Sequence, residues 1–222
     1  MKKYFVFLTL IIITGLLVFS SGCKHTTEPE EPAKPDTTHG GPVLRKPNIY
    51  LYPTKTCSIT LKLEFPLGGK IIQSEPLYTN EWFVNVNPMG RIDDKYNYLF
   101  YEATCPDVYQ YHSGWIVKKD SLFDFFSSNL INAGFNIAEK NDFIEYWIPK
   151  LVDYQYYIIY PQFSQEIEKI IQLKFSIKPD NILRLFYVIR GTNNNQEKLF
   201  TPTIPYFNRN GFVVAEWGVV IK

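Results

Sequence analysis

The sequence has few histidines, few cysteines and almost no net charge, and each shortage excludes a class of protein. The formal net charge is +1 and the lysines lie among acidic residues, which argues against nucleic-acid binding. Of the three histidines, His25 and His39 lie in a polar segment, and His112 stands alone as a surface or hydrogen-bonded strand residue. Because a metal site needs several ligands, none is expected.

The short motifs of cofactor-dependent and nucleophilic enzymes are also missing. The chain contains no G-x-S-x-G, no H-E-x-x-H, no glycine-rich phosphate loop and no C-x-x-C. A nucleophilic mechanism would have to pair His112 with a serine that nothing singles out. We therefore expect no cofactor.

One long apolar run is present, close to the amino terminus. Two lysines precede apolar residues 4–19, and three small residues stand immediately before Cys23. This is the pattern of an export signal. The run is shorter than the roughly 20 residues that a membrane-spanning helix needs, and a polar, proline-rich segment follows it. Residues 1–22 are therefore predicted to be a signal peptide, with an uncleaved membrane anchor as the alternative.

The pair Gly22-Cys23 resembles the lipobox of bacterial lipoproteins, in which the cysteine is acylated and becomes the first residue of the mature protein. Ser20 departs from the leucine usual in that box. The resemblance implies that Cys23 is the lipidation site, that a lipid bilayer is a partner, and that the protein is a membrane-anchored lipoprotein of the cell envelope, at the outer membrane or cell surface. Several acyl chains, at about 0.8 kcal/mol per buried CH₂, would anchor it permanently.

The next segment cannot bury enough apolar surface to fold. Residues 23–45 contain no aromatic residue and have a proline every few positions, which predicts a disordered, lipid-anchored tether. Such a tether reaches on the order of 25 Å or more. The remaining residues, 46–222, are predicted to form one globular β-rich domain, because 45% of the chain is hydrophobic and 17% aromatic.

The domain is predicted to open with a strand between Lys46 and Pro53. Apolar residues alternate there with Tyr50 and Tyr52, which predicts a core face and an amphipathic face. Further strand patterns lie at 57–65, 81–86, 96–102, 111–118, 154–160, 172–177, 182–190 and 211–221. Because 182–190 is apolar on both faces, we expect it to be central, covered by a second sheet and by helices.

Two segments have the helical period instead. Residues 120–134 read as a helix ended by Gly134, and a second helix from about residue 138 must end or kink by Pro149. The predicted fold is α+β and mainly β. It is an antiparallel β-sandwich or curled sheet with one inserted αα-hairpin.

Four segments, at 46–53 (KPNIYLYP), 96–102, 143–151 and 213–218 (VVAEWG), resemble a family of exported bacterial proteins with this opening strand and this closing Glu-Trp-Gly. The resemblance covers about 46–222 and implies one domain with these boundaries. That family carries no assigned activity, so the resemblance adds no chemistry. Val219 stands where a second glycine is expected, which predicts a longer last strand here.

The main chemical feature of the domain is its aromatic residues. Aromatic rings with polar tips are common in ligand clefts, and they are also common in cores. The candidate binding residues are Tyr50, Tyr52, Tyr98, Trp115 and Trp217. They favour a non-catalytic, lipid-anchored envelope module, binding or structural, that recognises glycan or another envelope protein through an aromatic face.

Two carboxylates support an alternative function. Glu102 and Glu216 each lie in an aromatic strand, and a pair of acids flanking a cleft is the requirement for glycoside hydrolysis. The alternative hypothesis is therefore a carboxylate-dependent hydrolase acting on envelope polysaccharide. Spacing in sequence does not give the separation of the two groups, and a structural ion pair remains open for each of them.

An arginine in the predicted central strand supplies such a pairing. Arg184 lies on the same face as Phe186 and Val188, so its guanidinium needs a carboxylate partner if that face is buried. Glu216 is the predicted partner, ahead of Glu102. The competing interpretation is that Arg184 extends along its own methylenes to water.

The two cysteines of the domain leave a further choice open. If Cys23 is acylated, Cys57 and Cys105 remain in an oxidising compartment, each at the end of a predicted strand. They are predicted either to form a disulfide or to be two buried free thiols.

Overall fold

The protein is built in three layers, with a seven-stranded sheet between a three-stranded sheet and a helical hairpin. The structure, a computed structural model, describes residues 41–222. The strands are β1 (Val43–Tyr52), β2 (Cys57–Glu64), β3 (Lys70–Glu75), β4 (Trp82–Val86), β5 (Leu99–Thr104), β6 (Trp115–Lys118), β7 (Tyr156–Phe163), β8 (Gln172–Phe175), β9 (Asn181–Thr192) and β10 (Val213–Ile221). The helices are α1 (Leu122–Ala133), α2 (Ile137–Trp147) and α3 (Ser164–Ile170).

The large sheet has the strand order β3-β5-β1-β10-β9-β7-β6, and the small sheet has the order β4-β2-β8. Every pairing is antiparallel except that of β9 with β10. Parallel neighbours need a long crossover. Residues 193–212 provide it, and Ile204 and Phe207 from this crossover pack on the helical side of the sheet. The predicted mainly β, α+β sandwich with an αα-hairpin is confirmed.

Two hydrophobic cores lie on opposite faces of the large sheet. The sandwich core fills the space between the two sheets and takes Ile49 and Leu51 from β1. The hairpin core lies under α1 and α2 and takes Tyr50 from the same strand. Period-two alternation explains this division, since successive side chains of a strand point to opposite faces. As predicted, β9 is central and buried on both sides.

The local signals at the ends of the helices agree with their bounds. Gly134 ends α1 in the left-handed region, at φ 105°, which glycine adopts without steric cost. Asn136 and Glu139 form a capping box at the start of α2, each side chain accepting from the other residue's backbone N–H. After α2 the chain continues into a short 3₁₀ turn at Ile148–Lys150, where Pro149 ends the α-helix.

Three details differ from the sequence-based expectations. Strand β1 begins at Val43, ahead of the predicted strand start at Lys46, because a bulge between Arg45 and Asn48 lets Pro47 lie inside β1. Strand β3 and helix α3 were not expected. Strand β3 has an irregular register with β5, and α3 is only 7 residues long, so neither has a clear period.

The predicted signal peptide, Cys23 and most of the predicted tether lie outside the described residues. Among residues 41–222, no helix is both long and apolar enough to cross a bilayer.

Candidate functional site

The predicted pairing of Arg184 with Glu216 is confirmed. Arg184 Nε donates to Glu216 Oε2 at 2.5 Å, and both side chains are almost completely buried in the sandwich core. The parallel register of β9 and β10 places the two residues directly opposite each other. Tyr101 from β5 donates its hydroxyl to the other carboxylate oxygen, Oε1, at 2.8 Å. Glu216 is therefore held in a structural ion pair.

The Arg184 guanidinium also binds the end of helix α3. Arg184 Nη1 donates to Glu168 Oε1 at 2.7 Å and to the carbonyl oxygen of Ile171 at 2.6 Å, which fixes the end of α3. Burial would lower the pKa of Arg184, but Glu216, Tyr101 and Glu168 raise it above its ordinary value. The arginine stays charged because its partners are charged or strongly polar.

Glu102 lies on the other face of the sheet. It follows Tyr101 in β5, and because adjacent residues of a strand point to opposite faces, its carboxylate lies on the side of the hairpin. Its nearest cation is Arg45, whose Nη1 is 3.6 Å from Glu102 Oε2. The hypothesis that Glu102 and Glu216 flank one cleft is therefore wrong, since the sheet itself separates them.

The five candidate aromatic residues do not form one platform. Tyr50 and Trp217 are only 2% and 0% exposed, because the helical hairpin covers the face that β1 was expected to present. Trp217 donates its indole N–H to the carbonyl oxygen of Glu139 in α2, at 3.1 Å. Tyr52 and Tyr98 are half-buried. Trp115 is also half-buried but lies in β6, at the far edge of the sheet, against Phe125.

The two cysteines are not bonded to each other. Cys57 is half-buried at the start of β2, whereas Cys105 is buried just after β5, and both are free thiols. Burial raises the pKa of Cys105 to about 12, so this thiol is unreactive at neutral pH. The disulfide prediction is therefore wrong, and the alternative of two buried free thiols is correct for Cys105, whereas Cys57 is free but only half-buried.

The structure instead brings a group of polar and aromatic side chains together around Lys46. We call this group the Lys46 cluster, and it consists of Lys46, Asn48, Tyr98, Phe100, Glu102, Asp142 and Tyr146. They come from β1, from β5 and Tyr98 immediately before it, and from α2, on the hairpin side of the large sheet. Lys46 is at the β1 bulge and has φ 53°, an uncommon value for a residue other than glycine. Backbone strain of this kind is concentrated at functional sites.

Three aromatic rings surround the Lys46 ammonium. Its Nζ is 4.2 Å from the ring centroid of Phe100, 5.1 Å from that of Tyr98 and 5.5 Å from that of Tyr146. These distances are within the range of cation–π attraction. No carboxylate oxygen of residues 41–222 lies within 4.0 Å of this ammonium. Lys46 is therefore held by rings and by more distant charges.

Hydrogen bonds connect the cluster to the hairpin core. The Tyr50 hydroxyl donates to Asp142 Oδ2 at 2.8 Å, and Asn48 Nδ2 donates to the Tyr50 hydroxyl oxygen at 3.4 Å. Asn48 is completely buried, and its Oδ1 has no hydrogen-bond partner among the described residues. A buried acceptor without a partner is costly. This acceptor lies in the interior of the cluster, out of contact with solvent.

Burial shifts the pKa of most titratable side chains in the Lys46 cluster. The pKa of Lys46 is lowered by burial, although Asp142, Glu102 and Glu75 act against this shift. Burial raises the pKa of Glu102 and of Asp142, and it raises the pKa of the Tyr98 and Tyr146 hydroxyls. A concentration of perturbed groups at a partly exposed place is a physical indication of a functional site.

Other parts of the described chain show fewer features of a functional site. A shallow hollow of about 310 Å³ lies beside β3, lined by Phe65, Ile72 and Leu77 among others. A second of about 290 Å³ lies at the turn after β4, between Asn85 and Asp94. No group of three or more His, Cys, Asp or Glu side chains in residues 41–222 is placed to hold a metal ion.

Comparison with known proteins adds no assignment to this geometry. No family model matches the chain, and no curated protein and no solved structure matches it. The resemblance to exported bacterial proteins stays a prediction from the sequence.

Proposed function

We propose that the protein is a non-catalytic, lipid-anchored module of the cell envelope that recognises glycan through the Lys46 cluster. The observation that carries the proposal is the combination, on one partly exposed surface, of the Tyr98 and Tyr146 rings with the carboxylate of Asp142. Sugar rings stack on aromatic faces while their hydroxyls donate to carboxylate and amide oxygens.

The position of the acidic groups supports binding rather than hydrolysis. Glycoside hydrolysis needs two carboxyl groups on either side of one bond, about 5 or 6.5–9.5 Å apart. Glu216 is bonded to Arg184 inside the sandwich core, and Glu102 lies across the sheet from it. Neither group is positioned to act together with the other on one substrate.

The proposal is tested with the full-length protein in detergent on an array of envelope polysaccharide fragments. We expect glycan binding by the wild type and a loss of about tenfold or more in Tyr146→Ala, equivalent to about 1.4 kcal/mol. Tyr206→Ala is the matched control, because Tyr206 is 92% exposed in the crossover loop, outside the cluster. Absence of any glycan binding, or an equal loss in both variants, would overturn the proposal; capture of an envelope protein instead would point to the protein-binding alternative.

The anchor is tested separately. In this proposal Cys23 is acylated and holds the protein at the outer membrane or cell surface. Cys23→Ala should therefore move the protein from the detergent phase to the aqueous phase in detergent partitioning. Identical partitioning of the variant and the wild type would contradict the lipid anchor.

A further inference from the structure

We propose that Asn210-Gly211 is a site of spontaneous chemical modification, at which the chain closes a succinimide ring that water opens to aspartate or isoaspartate. The inference goes beyond glycan recognition and does not depend on it. It rests on the residues immediately before β10 and not on the Lys46 cluster.

The two groups that would react are adjacent in the chain and have no other partner. Asn210 is exposed, and its side-chain amide makes no hydrogen bond within residues 41–222. The backbone N–H of Gly211 has no acceptor in the same range. Asn210 is the one asparagine of the sequence that glycine follows. Because glycine has no Cβ, its nitrogen can approach the neighbouring side chain closely.

The fold requires glycine after Asn210. Gly211 has φ 73°, in the left-handed region that glycine adopts without steric cost. A Cβ added at Gly211 would lie 2.3 Å from Asp180 Oδ2, and this carboxylate oxygen also accepts from the N–H of Phe212 at 2.7 Å. A larger residue would therefore clash with Asp180. The local structure thus retains the neighbour that least obstructs ring closure.

The reaction balances with water as the only co-reactant. The Gly211 nitrogen attacks Asn210 Cγ and loses its proton, a C–N bond forms, and the Cγ–Nδ2 bond breaks as ammonia leaves with that proton. Water then adds to one of the two ring carbonyl groups and breaks its bond to the ring nitrogen, which takes a proton. Opening at Cγ gives aspartate, and opening at the main-chain carbonyl gives isoaspartate. The sum is amide plus water giving carboxylate plus ammonium.

The modification changes the contacts at the start of the β9–β10 pair. The carbonyl oxygen of Asn210 accepts from Asn181 Nδ2 at 2.7 Å, and the backbone N–H groups of Asp180 and Asn181 donate to the carbonyl oxygen of Phe212. Either product adds a negative charge close to the Asp180 carboxylate, and isoaspartate also adds one carbon to the main chain. Because like charges repel, the backbone hydrogen bonds between 180–181 and 212 should open more often in the modified protein.

The experiment incubates the full-length protein in detergent at neutral pH, in water labelled with heavy oxygen. Peptide mass spectrometry measures the conversion of each asparagine, and the label marks the molecules converted during the incubation. The matched control is Asn195, which is also exposed but is followed by Gln196, whose N–H donates to Asn194 Oδ1 at 3.0 Å. We expect conversion to be at least about tenfold faster at Asn210, because glycine removes the steric barrier to ring closure.

A second incubation in urea tests the role of the folded structure. Because the fold leaves both reacting groups without partners, the rate at Asn210 should change by less than about tenfold on unfolding. Stronger protection of Asn210 in the folded protein would overturn the inference, and so would a rate no higher than that at Asn195. A product that contains aspartate alone would also overturn it, since direct hydrolysis of the amide gives no isoaspartate.

Hydrogen exchange tests the structural consequence. The backbone N–H groups of residues 180, 181 and 212 should exchange faster in the incubated wild type than in fresh protein. Asn210→Gln is the control, because glutamine keeps the amide at this exposed position while its longer side chain closes a ring more slowly. Equal exchange in the incubated wild type and the incubated variant would contradict the consequence. Because the readouts are mass and exchange near Asn210, their failure is distinguishable from a failure of glycan binding.

Discussion

The two faces of strand β5 differ in how completely their charged groups are compensated by partners. On the sandwich side Tyr101 helps to bind Glu216, whose charge is paired directly with Arg184 and completely buried. On the hairpin side Glu102 faces Lys46 at longer range, and both are only partly desolvated. A buried charge is tolerated where a partner compensates it, so the first arrangement is structural. Where compensation is incomplete, the pKa values of the charged groups are shifted, as in the Lys46 cluster.

The largest effect is expected from breaking the paired side. Arg184→Met should destabilise the protein by about 3–5 kcal/mol, because Glu216 then remains buried without its cation. Urea unfolding measures the change. Arg190→Met is the matched control, since the side chains of Arg190 and Glu197 are 45% and 37% exposed and such pairs contribute at most about 1 kcal/mol. A loss in Arg184→Met as small as in the control would remove the contrast between the two faces.

A double-mutant cycle sharpens the same comparison. Arg184→Met combined with Glu216→Gln should recover part of the loss, because the uncompensated charge is removed together with its partner. Strictly additive losses would show that the two residues do not interact.

The next prediction tests what determines the loss of stability when a charged residue is removed. It asks whether direct ion pairing matters more than the face of the sheet on which the residue lies. On the hairpin side Glu139 is completely buried and accepts from Arg209 through both carboxylate oxygens, at 2.9 and 3.0 Å. Arg209→Met should cost about 2–3 kcal/mol in urea unfolding, less than Arg184→Met because Arg209 is partly exposed. Arg209→Lys, which keeps the charge, should lose less. An unchanged stability in Arg209→Met would mean that the face of the sheet affects stability more than the ion pairing does.

The smallest effect concerns Glu102 and Asp142 in the Lys46 cluster and appears in the pH dependence of stability. The pKa of Glu102 is raised by burial in the folded protein, so the folded state binds more protons than the unfolded state between the two pKa values. Stability should therefore fall as pH rises through the window that starts at the ordinary glutamate pKa. Glu102→Gln should make this fall shallower, and Asp142→Asn should act in the same direction. Thermal unfolding across that window is the measurement, and an unchanged slope in both variants would contradict the desolvation argument.

The buried pair of Arg184 and Glu216 could be predicted from the sequence. Arg184 and Glu216 each lie in a strand that is apolar on the same face, and a buried charge in such a strand has few candidate partners. The helical hairpin was predictable for a similar reason, since its period and its end at Gly134 are local signals.

The Lys46 cluster could not be predicted in the same way. Lys46, Glu102 and Asp142 come from three distant segments, and no periodicity relates them. One signal was available, since Asp142 and Tyr146 are four residues apart and share a face of a helix. Alternation in β1 correctly separated Tyr50 from its apolar neighbours, but it could not show that the hairpin covers the tyrosine side.

The position of β1 has a consequence for the order of folding. It is the first strand of the domain to be synthesised, and it pairs with β10, the last, so that Leu44 lies opposite Val220 and Tyr52 opposite Val213. Strands β3, β5 and β1 form one part of the large sheet and β9, β7 and β6 another, and β10 alone joins them. Contacts of such long sequence separation form slowly, because the whole intervening chain must be closed into a loop. The two groups of strands therefore cannot join into one sheet before β10 is in place between them.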